Sequence, residues 1–410
     1  MKHILGVFIC FFIGTIATYS QTIEDIINQV NIDSLTLTIN EFSGEQPTEV
    51  NGNTVTILNR QQANNDLAAD YLVEKFQSFN NLIITDQSFN SNGRNIIATQ
   101  LGYTNPDDIY IICAHYDSVA NYCADDNASG TTAVLEIARI LSEQCLDNTI
   151  VYALWDEEEI GLRGSNFYAD LAQNNGDNIL GVLNIDMMGY DGDDDNDFDI
   201  DVRQGDASSI AMGDDIVDVL NTPGYNFTLN VNVVNPGTSA SDHASFWNRG
   251  FPAVLVGESW ETNDQTPFYH SSGDRISTLN LPYYHELTKL IMGYMVTKGG
   301  LTAINNLVTI NTDSLMANET GATYQWIDCD TGMPIAGETG QTFMVTASGN
   351  YAVEITNAIC TETSACIEFD LLSVETFDLL TNVTIYPNPV STTLFLELPE
   401  YEKANYKIYN

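Results

Sequence analysis

Short apolar runs bounded by polar clusters recur through the first three-quarters of this chain. NLIIT (81–85), NIIATQ (95–100), DIYIICA (108–114), NTIVYALW (148–155), ILGVLNI (179–185) and PAVLVG (252–257) are β-rich and mostly continuous, not alternating. That pattern predicts strands covered on both faces. Between them the apolar positions fall three and four apart. Residues 22–80 carry helical signals, including NNDLAADYLVEKFQSF; SGTTAVLEIARILSEQ (129–144) predicts a helix with Ser129 as its N-cap. PYYHELTKLIMGYMVTK predicts a closing helix, ended by Gly299-Gly300. Strands alternating with amphipathic helices predict an α/β domain over residues 21–300, a mixed, mostly parallel sheet sandwiched by helices.

Beyond Gly300 the helical stripes stop. Residues 304–373 hold only short β runs such as ATYQWI and NYAVEIT, broken by Gly, Asn, Asp and Thr. A small β-sandwich is expected there. It resembles the immunoglobulin-like modules appended to secreted bacterial proteins, with Trp326 as core tryptophan and Tyr351 as late-strand tyrosine. The β-rich segment 378–410, containing VTIYPNPVSTTLFLELPEYEKANYKIYN, resembles the opening of a type IX secretion sorting domain. The resemblance implies engagement of secretion machinery or attachment at the cell surface.

At the other end, Lys2 and His3 precede the apolar stretch ILGVFICFFIGTIA. Residues 1–20 are expected to be a signal peptide cut after Ser20, with Thr18 at the −3 position. No later run approaches the ~20 apolar residues of a membrane span, so a secreted or cell-surface protein without membrane insertion is expected. Composition agrees: 56 Asp and Glu against 13 Lys and Arg give a formal net charge of −43. Such a chain repels phosphate backbones, which excludes nucleic acid as a partner. Setting Cys10 aside, three cysteines lie early (Cys113, Cys123, Cys145) and three late (Cys329, Cys360, Cys366). Each region keeps an odd thiol unless one bridge crosses between them. Cys113, inside an apolar run, reads as a buried free thiol.

Chemistry collects where the strands end. DIYIICA runs into His115-Tyr116-Asp117, and the next loop holds Asp125-Asp126-Asn127. NTIVYALW runs into Glu157-Glu158-Glu159, ILGVLNI into Asp186, and FYHSSGD offers His270. Ligands of open α/β sheets bind outside the carboxyl ends of the strands. Two histidines among carboxylates make a zinc-type donor set. Each piece alone has a plainer reading: a surface HxD pair, acids at a helix start, a loop histidine. The convergence favours a metal. DGDDDNDFDID (191–201) reads as a solvated acidic loop, with Ca2+ binding as the alternative.

AHYDS, ADDNASG, EEEIGLRGS, NIDMMGY, SDHASFW and YHSSGD stand here in the order found in the co-catalytic zinc aminopeptidases, the family of bacterial leucyl aminopeptidase and aminopeptidases S and Y. The resemblance covers roughly residues 55–298 and implies the zinc exopeptidase fold with two Zn2+. It assigns His115, Asp126 and Asp186 to one ion, and Asp126, Glu159 and His270 to the other, with Asp126 bridging. Glu158 matches the catalytic base acting on a metal-bridged water. Asp117 matches the carboxylate orienting His115, and Asp126-Asn127 matches a cis peptide. Glu157 is left as a solvated neighbour, Asp242 and His243 as supporting residues, and His285 as a surface residue. Some relatives carry an oxyanion-holding tyrosine flanked by a disulfide, where this chain has Pro236, Thr238 and Ala240; Tyr269 or a backbone N–H would take that role. The implied activity is removal of N-terminal residues from peptides with a free N-terminus. A metallo-carboxypeptidase or other dinuclear zinc amidohydrolase, a glutaminyl cyclase, and a non-catalytic surface adhesin are the alternatives.

Overall fold

The computed structural model describes residues 22–371, except 62–64, 261–263, 303, 358 and 359, together with two paired strands, Thr384–Tyr386 and Phe395–Glu397. The expected signal peptide lies outside the described residues, as does most of the expected sorting segment. Contacts divide the chain into two units. One comprises residues up to Asn305 plus Thr356–Glu362, the other Asn306–Ile355 plus the remainder.

The first unit is built on an eight-stranded sheet. In chain order its strands are β1 (Ile83–Ser88), β2 (Arg94–Gln100), β3 (Asn105–His115), β4 (Asn148–Trp155), β5 (Asn178–Ile185), β6 (Asp197–Val202), β7 (Asn230–Val234) and β8 (Ala253–Glu258). Across the sheet they run β1-β2-β4-β3-β5-β8-β6-β7. The central strands β4, β3, β5 and β8 are parallel neighbours. Strands β1 and β2 are antiparallel additions at one side, and β6 pairs antiparallel with β8 at the other.

Helices cover both faces. α1 (Ile23–Ile27), α2 (Ile32–Phe42), α3 (Asp66–Gln77), α4 (Gly130–Leu141), α6 (Ala207–Leu220) and α8 (Leu281–Gly299) bury their apolar stripes in the larger core. α5 (Arg163–Asn175) and α7 (His243–Trp247) close the opposite face over Trp155, Tyr168 and Phe246.

Four local expectations change. Residues 22–80 hold three helices, Ile23–Ile27, Ile32–Phe42 and Asp66–Gln77, and also a small hairpin, Thr48–Val50 with Asn53–Val55. Ser129 does not cap α4. It is already helical, because a π-type turn (Ala124–Ser129) runs straight into the helix, and Asn127 Oδ1 accepts from Gly130 N at 3.0 Å instead. The acidic run is only partly a loop: Asp197–Val202 is strand β6, its Phe198, Ile200 and Val202 filling the core. His285 is half-buried, its Nε2 held 2.9 Å from Val30 O.

The second unit contains two antiparallel sheets. One has three strands (Val308–Ile310, Ser314–Ala317, Thr342–Met344); the other holds Thr323–Asp328, Met333–Pro334, Ile367–Phe369 and the part of Gly349–Asn357 up to Ile355. Buried Trp326 packs on Phe343, and Phe343 on Tyr351, with centroids 5.4 and 5.2 Å apart. Cys329–Cys366 and Cys145–Cys360 are disulfides, so one bridge joins the early and late sequence regions. Cys113 and Cys123 are buried free thiols.

Candidate metal centre

The carboxyl ends of β3, β4 and β5 lie side by side, so His115, the Glu157–Glu159 turn and Asp186 emerge at one edge. Asp126 arrives from the turn ahead of α4, whose Asp126–Asn127 peptide is cis. That turn is pinned from below. Asp274 accepts from Asp125 N and Asp126 N at 2.8 and 3.0 Å, and Asn127 Nδ2 donates to Ile185 O at 2.8 Å. Buried Arg60 donates to Tyr116 O and Cys123 O, tying the two ligand-bearing loops together.

Five side chains converge. His115 Nε2 stands 3.3 Å from both Asp126 Oδ1 and Asp186 Oδ1. His270 Nε2 stands 3.3 Å from Asp126 Oδ2 and 3.2 Å from Glu159 Oε2. Asp126 thus turns one oxygen to each histidine. His115 Nδ1 faces Asp117 Oδ1 at 3.4 Å, and Asp117 also accepts from Glu158 N and Glu159 N at 3.1 and 3.3 Å. With its proton on Nδ1 toward Asp117, a neutral His115 presents a lone pair to two carboxylate oxygens. That arrangement is repulsive without a cation between them. Asp126 Oδ2 and Glu159 Oε1 are buried and meet no hydrogen-bond donor. Two imidazole nitrogens and three carboxylates, with oxygens left over, suit zinc.

Electrostatics follow from the crowding. Burial pushes Glu158 up to about 10, Asp242, Asp186 and Asp117 adding to it against His115. Glu159 is pushed up to about 8 by burial and by Asp126. Burial opposes a charge on His115, but Asp186, Glu158, Asp117 and Asp126 outweigh it and raise its pKa. Burial opposes the Asp186 charge too, yet His115 and a 2.6 Å bond from Ser241 Oγ hold that carboxyl below its usual value.

Glu157 is not a solvated neighbour. It is 1% exposed, accepting from Asn90 Nδ2 at 2.7 Å and facing Arg163 at 3.3 Å. The reversal in direction at the strand end (φ 58° at Glu157) turns its side chain inward while Glu158 and Glu159 face the cleft. His243 is a packing residue: Nε2 donates to Thr238 O at 2.9 Å and the ring meets Trp247 edge-on. Tyr269 stacks on His270 and lines the cleft. The sequence pattern assigned no role to Ser241, Asp274 or Arg60, nor to Asn184, whose Nδ2 donates to Ser241 Oγ at 2.8 Å. Asn184, Ser241 and Asp274 lie inside NIDMMGY, SDHASFW and YHSSGD, where a motif-level reading could have caught them.

Fold and donor set together define the class, an α/β protein built around a histidine-and-carboxylate metal centre. Within that class, residues 95–295 match the family model of Peptidase family M28. Among curated proteins, a probable aminopeptidase of Saccharomyces cerevisiae is 31% identical over 51% of this chain and 58% of its own length. Aminopeptidase Y of the same yeast is 30% identical over 50% of this chain and 38% of its own length. The chain therefore spans less than two-thirds of these relatives. Among solved structures, the LapA aminopeptidase of Legionella pneumophila superposes with TM-score 0.57 at 19% identity, over 68% of this chain and 75% of that one. A glutaminyl cyclase of Porphyromonas gingivalis superposes with TM-score 0.50 at 17% identity, over 65% of this chain and 98% of that one. Both likenesses are of fold.

Proposed function

We propose that this chain is a dinuclear zinc aminopeptidase that removes N-terminal residues from peptides. The observation that carries the reading is Asp126, whose two oxygens face two different histidines 3.3 Å away, as a carboxylate bridging two ions would. His115 and Asp186 would complete one ligand set, Glu159 and His270 the other. Zinc bound there would polarise the scissile carbonyl and acidify the attacking water.

The chain's own residues supply the rest. Glu158, held at the strand end by the N–H bond to Asp117, takes the water's proton and passes it to the leaving amine. Asp117 fixes the His115 ring, and Ser241 fixes Asp186. Glu158, Glu159 and Asp186 on one rim attract an α-ammonium group, which favours the free N-terminus over an internal bond. Tyr269, which lines the cleft, or a backbone N–H would donate to the developing oxyanion. Two disulfides support an exported protein, in line with the apolar stretch near Lys2.

The test is mass spectrometry of one short peptide, free and N-acetylated, with and without chelator. Stepwise N-terminal loss from the free peptide alone, abolished by chelator and restored by zinc, is expected. Trimming of the acetylated peptide from its other end would make the protein a carboxypeptidase. Cyclisation of an N-terminal glutamine without trimming would make it a cyclase, and an inert peptide would favour an adhesin.

A further inference from the structure

A second group of oxygen donors lies outside the histidine-and-carboxylate centre. Asp191, Asp193 and Asp195 stand at alternate positions in the loop that leads into β6. One carboxylate oxygen from each falls within 4.8 Å of the others. Oxygens held by one Ca2+ at about 2.3–2.6 Å stand at most ~5 Å apart, so these three are spaced as ligands of a single ion.

An exposed acidic loop needs no ion, because water solvates its carboxylates. Asp191 is different, being only 6% exposed. Its Oδ2 accepts from Asn280 Nδ2 at 3.0 Å, while Oδ1 is buried and meets no donor at hydrogen-bond geometry. Asn280 is itself fixed: its side chain caps α8, accepting from Tyr283 N, and its N–H donates to Gly189 O at 2.8 Å. The fold, not solvent, therefore sets the direction of Asp191. A carboxylate oxygen that has given up water and gained no donor is costly unless a cation replaces both.

The surroundings add negative charge. Asp195 Oδ1 accepts from Asp197 N at 2.9 Å. Asp264, from the segment ahead of His270, accepts from Gly192 N through both oxygens at 3.1 and 3.0 Å. Burial raises the pKa of Asp191, and the charges of Asp264, Asp195 and Asp194 add to it. Burial raises Asp264 too, joined by Asp193, Asp195 and Asp197. The opposing pull comes from backbone N–H groups, of Asp195 on Asp191 and of Gly192 on Asp264.

We infer that Asp191, Asp193 and Asp195 bind one Ca2+, with Asp264 and Asp194 adding charge around it. The donors are all oxygen, which suits a hard cation and leaves out the nitrogen or sulfur that zinc favours. Asp193 and Asp195 are exposed, so water completes the six to eight contacts that Ca2+ takes. Mg2+ demands a near-ideal octahedron, a poorer match to one buried and two exposed carboxylates on a loop. The ion would fasten the loop after Asp186 beside the segment leading into His270. It forms a site of its own, and the inference does not depend on the peptidase reading.

The experiment titrates CaCl2 calorimetrically into the zinc-loaded full chain, dialysed into buffer free of other divalent ions at about physiological salt. One saturating site per chain is expected, with Kd of about 1 mM or tighter, and a rise in the unfolding midpoint as it fills. Asp193→Asn and Asp195→Asn change exposed positions, so folding is retained, and each should weaken Ca2+ at least about tenfold. Asp214→Asn, which removes an exposed aspartate from α6, should leave the constant unchanged. Heat that never saturates, or that Asp214→Asn lowers as much as Asp193→Asn does, means a diffuse counter-ion cloud and overturns the site. Mg2+ displacing Ca2+ at a lower concentration than Ca2+ itself requires overturns the assignment to calcium. None of these readouts uses peptidase activity, so failure here leaves the proposed function untouched.

Discussion

Glu157, Glu158 and Glu159 leave one strand end and reach three environments, and the backbone turn at Glu157 divides them. Glu158 meets no histidine nitrogen at the distances that mark the other donors, which leaves its carboxylate available for proton transfer. Glu158→Gln keeps shape and removes basicity, so kcat should fall ~10²–10⁴-fold with zinc stoichiometry unchanged. Metal analysis alongside initial rates would expose the assignment as wrong if zinc left with the activity. Asp117→Asn should instead loosen His115 and weaken zinc binding ~10–100-fold, measured by competition with a chromogenic chelator. His243 offers a pH signature. Burial lowers it from 6.5 to about 4, so between those values the unfolded chain binds a proton that the folded one refuses, and stability falls as pH falls. The contribution is about 3 kcal/mol between pH 7 and pH 4. Denaturant unfolding across that range should show a shallower decline for His243→Gln, and equal slopes would remove His243 as the cause. His115 and Asp186 were legible because each directly follows an apolar run, and Asp126, Glu159 and His270 because they stand in short polar motifs beside such runs or in order with them. Ser241 and Asp274 stand inside SDHASFW and YHSSGD, but their partners, like those of Arg60, are distant in sequence and only the folded chain brings them together.

Among the elements, β6 shows where pattern reading failed. DFDIDV alternates perfectly, yet the aspartates before it drew the whole run into one acidic loop. A period of two with Phe, Ile and Val on one face was the signal, masked by composition. Strand β7, NVNVV, and helix α6 passed unnoticed for a related reason: both lie in a polar stretch where flanking residues dilute the apolar face. The six strands that were legible are those with the longest apolar runs. β8 places a testable constraint on this layer. Gly257→Ala would put a methyl against the Asp186 carbonyl, and either the strand or the ligand must move. A loss of about 1–3 kcal/mol is expected from overpacking, together with weaker zinc binding. Full metal affinity in the alanine variant would mean the strand absorbs the shift.

At the scale of the whole molecule, the α/β unit was legible from the alternation of strands and helices, and the change after Gly300 from the end of helical periodicity. The path of the chain between units was not. Contacts return Thr356–Glu362 to the first unit, and Cys360 is bonded there to Cys145. No local pattern announces such a return, since a disulfide partner is chosen by proximity in the fold. The consequence is one of dissection. A protease that nicks the connection near Asn305 produces two polypeptides still held by one covalent link. The nicked material should run as a single band on a non-reducing gel and separate into two only after thiol treatment. Two bands without reductant would mean that the 145–360 bridge does not form. Anyone excising the catalytic unit by cutting at residue 305 also leaves Cys145 as a reactive orphan, and Cys145→Ser belongs in that shortened chain from the outset.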